Sequence, residues 1–253
     1  MDIAEGSIGK LQAIMQESHH AVFYGGAGVS TESGIPDFYS GTGPEIAMEK
    51  YGYPPEILMS HEFFEHHPDT FYDFYVNNMV WPDAEPNDAH KALARLEQTG
   101  HLDAVVTINI DGLHQKAGSN KVYELHGTTQ DNYCVKCGAH ETLQEMLDNT
   151  YWTDGVPRCR KCGGIIKPYL VFYGEMLHEK DVLGAGEAFS HADTLIIGGT
   201  RELVYPASSM ANSFRGEHLV VINKTDTPYD REAELVIHDR IGKVLGLAAG
   251  MLH

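Results

Sequence analysis

The chain lacks any run of about 18 apolar residues, which excludes a membrane-spanning helix. Its opening, Met1-Asp2-Ile3-Ala4-Glu5, has neither the basic start nor the apolar core of a secretory signal. The expected location is therefore the cytoplasm. Positive charge is scarce: 18 Lys and Arg stand against 36 Asp and Glu, for a formal net charge of −18. Such a surface repels phosphates, which excludes a general nucleic-acid binder, and it attracts basic partners such as Lys-rich peptides. Cysteine is limited to four residues, two disulfides at most, which a cytoplasmic setting disfavours, and the regular GxGxxG fingerprint of dinucleotide-binding folds is missing. What the chain does have is 253 residues and 42% apolar composition, enough for one large domain or for a large domain with a small insert.

Taken in order, residues 3–18 carry apolar side chains at helical spacing. Ala21-Val22-Phe23-Tyr24 is a short apolar strand that runs into Gly25-Gly26-Ala27-Gly28-Val29-Ser30. A strand ending in glycines lets a backbone approach a pyrophosphate, although an ordinary tight turn has the same local pattern. Residues 31–60 read as a long loop rich in Gly, Pro, Ser and Tyr, of the kind that forms lids or binding loops. An aromatic segment from Phe63 to Val76 follows, helical in its second part with Pro68 in the first turn, and its Phe63, Phe71, Phe74 and Tyr75 are expected in the core. Helices are expected again over Ala89–Leu96, Val182–Phe189, Pro206–Phe214 and Ile241–Leu247. Buried strands are expected in 101–107, 167–175, 194–200, 218–223 and 235–237. This alternation implies a parallel sheet with right-handed crossovers. Gly25 to Gly28, Asn109, Gly199-Thr200 and Asn223 then all fall at strand C-terminal ends, the edge where open α/β sheets bind ligands.

The stretch from Ile108 to Gly127 is the centre of this pattern. Asn109, Asp111, His114 and His126 offer a carboxamide, a carboxylate and two imidazoles. An imidazole with a pKa of about 6.5 exchanges protons near neutral pH, and the other two groups hold polar ligands.

Cys134-Val135-Lys136-Cys137 and Cys159-Arg160-Lys161-Cys162 are two CxxC pairs, each followed by a glycine. Two such knuckles supply four thiolates to one tetrahedral Zn2+. A complete set of four thiolates leaves no open coordination position, so this zinc is expected to be structural, within a small module over about residues 129–167.

Set side by side, these pieces resemble the sirtuins, the NAD-dependent protein-lysine deacylases, in a bacterial form with little beyond the core. The matching segments are Gly26-Ala27-Gly28-Val29-Ser30, Gly34-Ile35-Pro36-Asp37-Phe38, Asn109-Ile110-Asp111-Gly112-Leu113-His114, Leu125-His126-Gly127, the four cysteines, Val171-Phe172-Tyr173-Gly174-Glu175, Gly199-Thr200, Val204-Tyr205-Pro206-Ala207 and Ile222-Asn223. They run in family order from about residue 20 to 245. The resemblance implies an α/β fold: a Rossmann-like parallel sheet from residues 1–128 and 168–253, with a loop or helical insert at about 31–80, and a zinc ribbon at 129–167. NAD and an acyl-lysine protein or peptide would meet in a cleft, and partners would include neither nucleic acid nor membrane. By the same resemblance, His126 is the general base, with Asn109 and Asp111 beside it in the catalytic set. The cofactor contacts implied are Gly26, Ala27, Gly28, Ser30, Asp37, Phe38, Tyr39, Ile108, Asn109, Asp111, Gly199, Thr200, Arg201, Asn223, Arg240 and Ile241. Phe38, Ile110, Val171, Phe172, Gly174 and Glu175 are the implied substrate contacts, with Phe38, Val171 and Phe172 lining an apolar acyl tunnel.

The chain also departs from the family pattern. Tyr39 stands in place of the usual Arg, Ile108 in place of a Gln, Arg201 in place of a Ser, Glu202 in place of an apolar residue, and Tyr169 in place of an Asn or Asp. Two accounts follow. Arg201 restores the lost positive charge from the other side of a working NAD pocket, or the chain is an NAD- or ADP-ribose-binding module with little turnover or an ADP-ribosyltransferase. No Tyr-x-x-Arg pair follows Tyr51 or Tyr53, which favours acetyl or longer neutral acyl groups over acidic ones.

Overall fold

A computed structural model describes residues 5–37, 43–148, 150–201, 208–210 and 214–250. Six parallel strands form the main sheet: β1 (Ala21–Gly25), β2 (Ala104–Thr107), β3 (Val122–Glu124), β9 (Thr194–Gly198), β10 (His218–Ile222) and β11 (Leu235–Ile237), in the order β11-β10-β9-β1-β2-β3. β1 lies between β2, with Val22 opposite Ala104, and β9, with Ala21 opposite Thr194. Successive strand residues point to opposite faces, and both faces are covered, so the strands read as continuous apolar runs. Phe23, Val105, Ile196 and Val220 face helices α1 (Glu5–Glu17), α6 (Asp88–Gln98) and α10 (Ile241–Ala248) through Leu11, Leu93 and Val244. Val22, Tyr24, Val106, Leu195 and Val221 face α9 (Glu179–His191) through Ala185 and Phe189. A parallel α/β sheet is thus observed as expected, except that the strand expected at 167–175 lies instead in a second, antiparallel sheet and β3 takes the edge of the main one. Of the helix expected at Pro206–Phe214, residues 208–210 are described and helical.

Residues 43–66 are not a loop. They hold α2 (Gly43–Tyr51), α3 (Pro55–Leu58) and α4 (His61–His66), ahead of α5 (Pro68–Asn78). The prolines and serines that suggested a loop are helix starts: Pro55 sits in the first turn of α3, and the Ser60 hydroxyl caps α4 by accepting from the Phe63 N–H at 3.2 Å. These helices bury only one or two apolar residues each, too few to produce a period.

The chain leaves β3 and passes through Leu125 and His126 directly into β4 (Gly127–Cys134), the centre of a second, antiparallel sheet with β5 (His140–Thr142) and β8 (Ile166–Leu170). A helix, α8 (Leu143–Leu147), and a small hairpin of β6 (Trp152–Thr153) and β7 (Val156–Pro157) complete this part. Its apolar side shares one core with the inserted helices: Phe64, Phe71, Tyr72, Phe74 and Tyr75 pack with Cys134, Met146, Ile166, Leu170 and Phe172. Most ring pairs are edge-to-face or tilted, as between Phe64 and Phe71 (5.1 Å) and between Phe64 and Phe172 (5.4 Å). The Tyr72 hydroxyl donates to the Ile166 carbonyl. Two segments remote in sequence are thereby welded by aromatic packing. Among the described residues no helix is long and apolar enough to cross a membrane.

The strand-to-strand passage at His126 rests on Gly127, which has φ +78° and whose missing Cβ would lie 2.0 Å from the Tyr169 carbonyl oxygen. Gly127→Ala should therefore destabilise the protein by about 2–3 kcal/mol, read as a lower urea midpoint at unchanged slope. A midpoint equal to wild type would contradict this close approach.

Candidate active site and metal centre

The two glycine turns at the sheet edge are built against each other. After β1, a 3-10 turn (Ala27–Val29) brings the Gly28 N–H to the Gly199 carbonyl at 2.8 Å. A Cβ on Gly28 would lie 2.6 Å from that oxygen, one on Gly199 (φ +61°) 2.6 Å from the Val29 nitrogen, and one on Gly26 2.9 Å from the Thr200 Cβ. Glycine at these positions serves the contact between turns as well as any approach of a ligand. Arg201 follows the second turn and is exposed.

Beneath the turns lies a buried polar chain. Ser30, 1% exposed, accepts from Asn109 Nδ2 (3.1 Å) and donates to Asp111 Oδ2 (2.6 Å). Asn109 Nδ2 also donates to the Gly26 carbonyl at 3.0 Å, and the Leu113 N–H donates to Asp111 Oδ1 at 2.9 Å. Burial raises the Asp111 carboxyl, against the hydrogen bond from Ser30 that lowers it. Ser30 Oγ lies 3.5 Å from His90 Nε2. The Asn87 backbone N–H donates to His90 Nδ1 (3.3 Å), so Nε2 carries the hydrogen toward Ser30. The sequence reading missed Asn87 and His90. Their signal was a capping box, Asn87-x-x-His90, at the start of α6. Asn87 Nδ2 reaches across to the Val29 carbonyl at 2.8 Å. His114 belongs to the same floor, fully buried 4.8 Å from the His90 ring, and not to an open pocket.

His126 sits half-buried between the two sheets, its carbonyl accepting from the Val171 N–H at 3.0 Å. Burial lowers its pKa and favours the neutral imidazole that a base requires. Two residues earlier, burial pushes the Glu124 carboxyl up to about 7, against hydrogen bonds from Thr128 and Gln115.

Other residues expected at the site have these surroundings. Phe172, assigned to the acyl tunnel, is 2% exposed inside the aromatic core. Ile241, assigned to the adenine edge, packs under Gly198 in the main core. Arg240 is engaged by Glu32, Nη2 to Oε2 at 2.7 Å, and the same carboxylate accepts the Gly242 N–H at 3.0 Å. Glu175 acts within its own loop: it accepts from the Phe172 N–H (3.0 Å) and Lys167 Nζ (3.1 Å), and pairs with His61 (2.8 Å). Ile108 is half-buried against the core on the α9 face of the main sheet, and Ile110 against the aromatic core. Val171 is half-buried, Gly174 exposed at φ +90°, and Asp37 half-buried. Thr200 is also half-buried, at the second glycine turn. Asn223 is buried at the tip of β10, its amide donating to the Thr225 carbonyl at 2.8 Å. Phe38, Tyr39 and Glu202 lie outside the described residues.

The four cysteines converge at the far end of the second sheet. Cys134 Sγ and Cys162 Sγ are 3.4 Å apart, Cys137 and Cys159 3.7 Å, and all four sulfurs lie within 4.8 Å of one another. Disulfides would place sulfurs at about 2.05 Å. Tetrahedral Zn–S bonds of about 2.3 Å give edges of about 3.8 Å, so the donor set fits one zinc. Gly138 (φ +68°) and Gly163 (φ +71°) turn each knuckle.

The model of the Sir2 family matches residues 26–206, well over half the chain and inclusive of both glycine turns, His126 and all four cysteines. The chain belongs to the Sir2 family. A relative from Clostridium perfringens, an NAD-dependent protein deacetylase, is 52% identical over 96% of this chain and 98% of its own. Another of that name from Clostridium acetobutylicum is 50% identical over 94% and 96%. Among solved structures, a Sir2 protein with a p53 peptide and NAD superposes with a TM-score of 0.80 at 35% identity, covering 96% of this chain and 98% of that one. One bound to a propionylated peptide gives 0.81 at 35%, covering 97% and 99%. In this Sir2 chain the buried histidines under the site carry a stability consequence. Burial lowers His90 to about 4 and His114 well below its ordinary value. Between pH 6.5 and about 4 the unfolded chain takes up a proton at His90 that the folded protein refuses, so stability is complete above this window and falls as pH drops through it. The loss from His90 is up to ~3 kcal/mol. The urea midpoint of the wild type should fall over this range, and the gap to His90→Gln should narrow; a gap independent of pH would refute the buried neutral imidazole.

Proposed function

We propose that this chain is an NAD-dependent protein deacetylase, transferring a neutral acyl group from lysine and releasing nicotinamide and O-acyl-ADP-ribose. The observation that carries this reading is the meeting of Ser30, Asn109 and Asp111 in one buried hydrogen-bonded chain at the sheet edge, with His126 on the adjoining passage. The names of relatives 40–52% identical support it.

The donor set suits NAD. Gly26, Ala27 and Gly28 with Gly199 and Thr200 would hold the pyrophosphate, Asn223 the adenosine ribose, and Asn109 and Asp111 the nicotinamide ribose. NAD, when bound, supplies an electrophilic ribose carbon and nicotinamide as the leaving group. The chain's own part is positional and protonic. Asn109 is held by two hydrogen bonds that fix its amide, and Asp111 by Ser30 and the Leu113 N–H. The His126 imidazole, kept neutral by burial, takes a proton from a hydroxyl within reach. An acyl-lysine side chain, being uncharged, would enter between the 171–175 loop and the sheet edge. There Val171 is the apolar contact, while Phe172 stiffens the loop from within the core. A cytoplasmic location and a basic peptide substrate agree with the charge of −18.

Purified protein should release nicotinamide from NAD only when an acetyl-lysine peptide is present. Release without peptide would point instead to glycohydrolase or ADP-ribosyl transfer. His126→Ala should reduce deacetylated product by at least about 100-fold with NAD affinity within a few-fold of wild type; retained turnover would remove its role as base. Arg201, exposed after the second glycine turn, would supply the cation that Tyr39 does not. Arg201→Ser should weaken NAD binding by roughly 10-fold or more, the worth of one charge-assisted contact. Unchanged affinity would mean that Arg201 points elsewhere.

A further inference from the structure

The turn from β10 to β11 carries Asp226 and Asp230, and His238 follows β11. His238 Nε2 lies 3.2 Å from Asp230 Oδ2 and 3.4 Å from Asp226 Oδ1. We propose that Asp226, Asp230 and His238 form a second metal site, for a borderline divalent cation such as Zn2+ or Ni2+, separate from the four cysteines.

The tautomer of His238 is fixed from outside the cluster. Its Nδ1 lies 3.0 Å from the Asn223 carbonyl oxygen, which can only accept, so Nδ1 carries a hydrogen. Nε2 is then the ring atom that faces the two carboxylate oxygens. A cation among these three atoms would meet one nitrogen and two oxygen donors. The other histidines that face a carboxylate in an ion pair among the described residues each make one shorter contact, in every case through Nδ1. His20–Asp103, His61–Glu175, His140–Asp131 and His218–Glu234 all have a contact at 2.6–2.9 Å. His238 has none that short. Its two spacings match a shared ion instead: bonds of about 2.0–2.2 Å to nitrogen and oxygen give tetrahedral edges of about 3.3–3.5 Å.

The surroundings resemble the outer shell of a metal site. A ligating imidazole whose other nitrogen donates to a backbone carbonyl is a common arrangement, because it fixes the ring and its basicity. Asp230 is likewise held, its second oxygen accepting from the Thr227 hydroxyl at 2.5 Å, and Thr227 is itself buried. Asp226 is 98% exposed and would close on the ion from solvent. One imidazole and two carboxylates suit a borderline ion, whereas the four thiolates select a softer environment. The ion would join the ends of β10 and β11 beside Asn223.

The test uses zinc-loaded full-length protein titrated with Ni2+ by calorimetry. One Ni2+ per chain should bind beyond the cysteine-held zinc, and it should raise the melting temperature. Asp226→Asn and His238→Gln should each weaken Ni2+ by at least roughly 10-fold and remove the thermal shift, with zinc still at one per chain. Asp226 contributes so little burial that its replacement leaves folding intact. No Ni2+ uptake up to about 1 mM would overturn the proposal and leave a protonated ion-pair cluster. So would uptake of equal affinity in both variants, which would place the ion at other histidines.

Discussion

A single hydroxyl, that of Ser30, sets the geometry at the sheet edge. It accepts from Asn109 and donates to Asp111, joining the loop after β1 to the loop after β2. The His90 ring behind it and the Asn87 cap tie both loops to the start of α6. Because these groups are buried, each depends on its partners being in place; a missing donor would leave a desolvated acceptor at a cost of about 1–3 kcal/mol. The glycine contact between the two turns acts in the same direction. With no Cβ at Gly28 or Gly199, the backbones meet directly, and the distance between the β1 and β9 tips is set by van der Waals contact instead of by side-chain rotamers.

His126 owes its place to a different feature. The chain crosses from the parallel sheet to the antiparallel one at Leu125–His126 and returns at Leu170–Val171, with one backbone hydrogen bond between the crossings. The returning loop is fastened from two sides. Lys167, buried over the Phe172 ring at 3.8 Å, holds Glu175 from within, and His61 holds it from the inserted helices. The Tyr173 N–H and carbonyl pair with Met59 and His61, at 3.0 Å each. The aromatic core shared by the helices and the ribbon thus anchors the 171–175 loop.

The sequence carried five of the six main-sheet strands and the cysteine knuckles clearly, because both depend on local pattern: apolar runs for strands buried on two faces, and paired thiols with turn glycines for zinc. It carried the strand-tip residues Ser30, Asn109 and Asp111 as well, since a parallel sheet sends its loops to one edge. What it did not carry was direction. Phe172, inside a matching motif, and Ile241 turn their side chains into cores, the first against Phe64 and the second under the missing Cβ of Gly198. Arg240 and Glu32 are 208 positions apart, and nothing local marks them as partners. Strand β3 escaped notice as a half-buried edge with only Val122, Tyr123 and Glu124. Helices α2 to α4 escaped because their proline and serine starts resemble loop composition.

The central position of β1 also governs the order in which the molecule can assemble. β1 is made early, but its neighbour β9 begins at Thr194, opposite Ala21, and Glu32 meets Arg240 only after that. At synthesis rates of about 5–20 residues per second, the second half of the edge emerges roughly ten seconds or more after the first. The ribbon has no such delay: its four thiols lie between Cys134 and Cys162, and the metal-binding loop closes while the chain is still growing. The cysteine module and its aromatic helices can therefore form while the glycine turn after β1 still waits, unsupported, for a strand not yet translated.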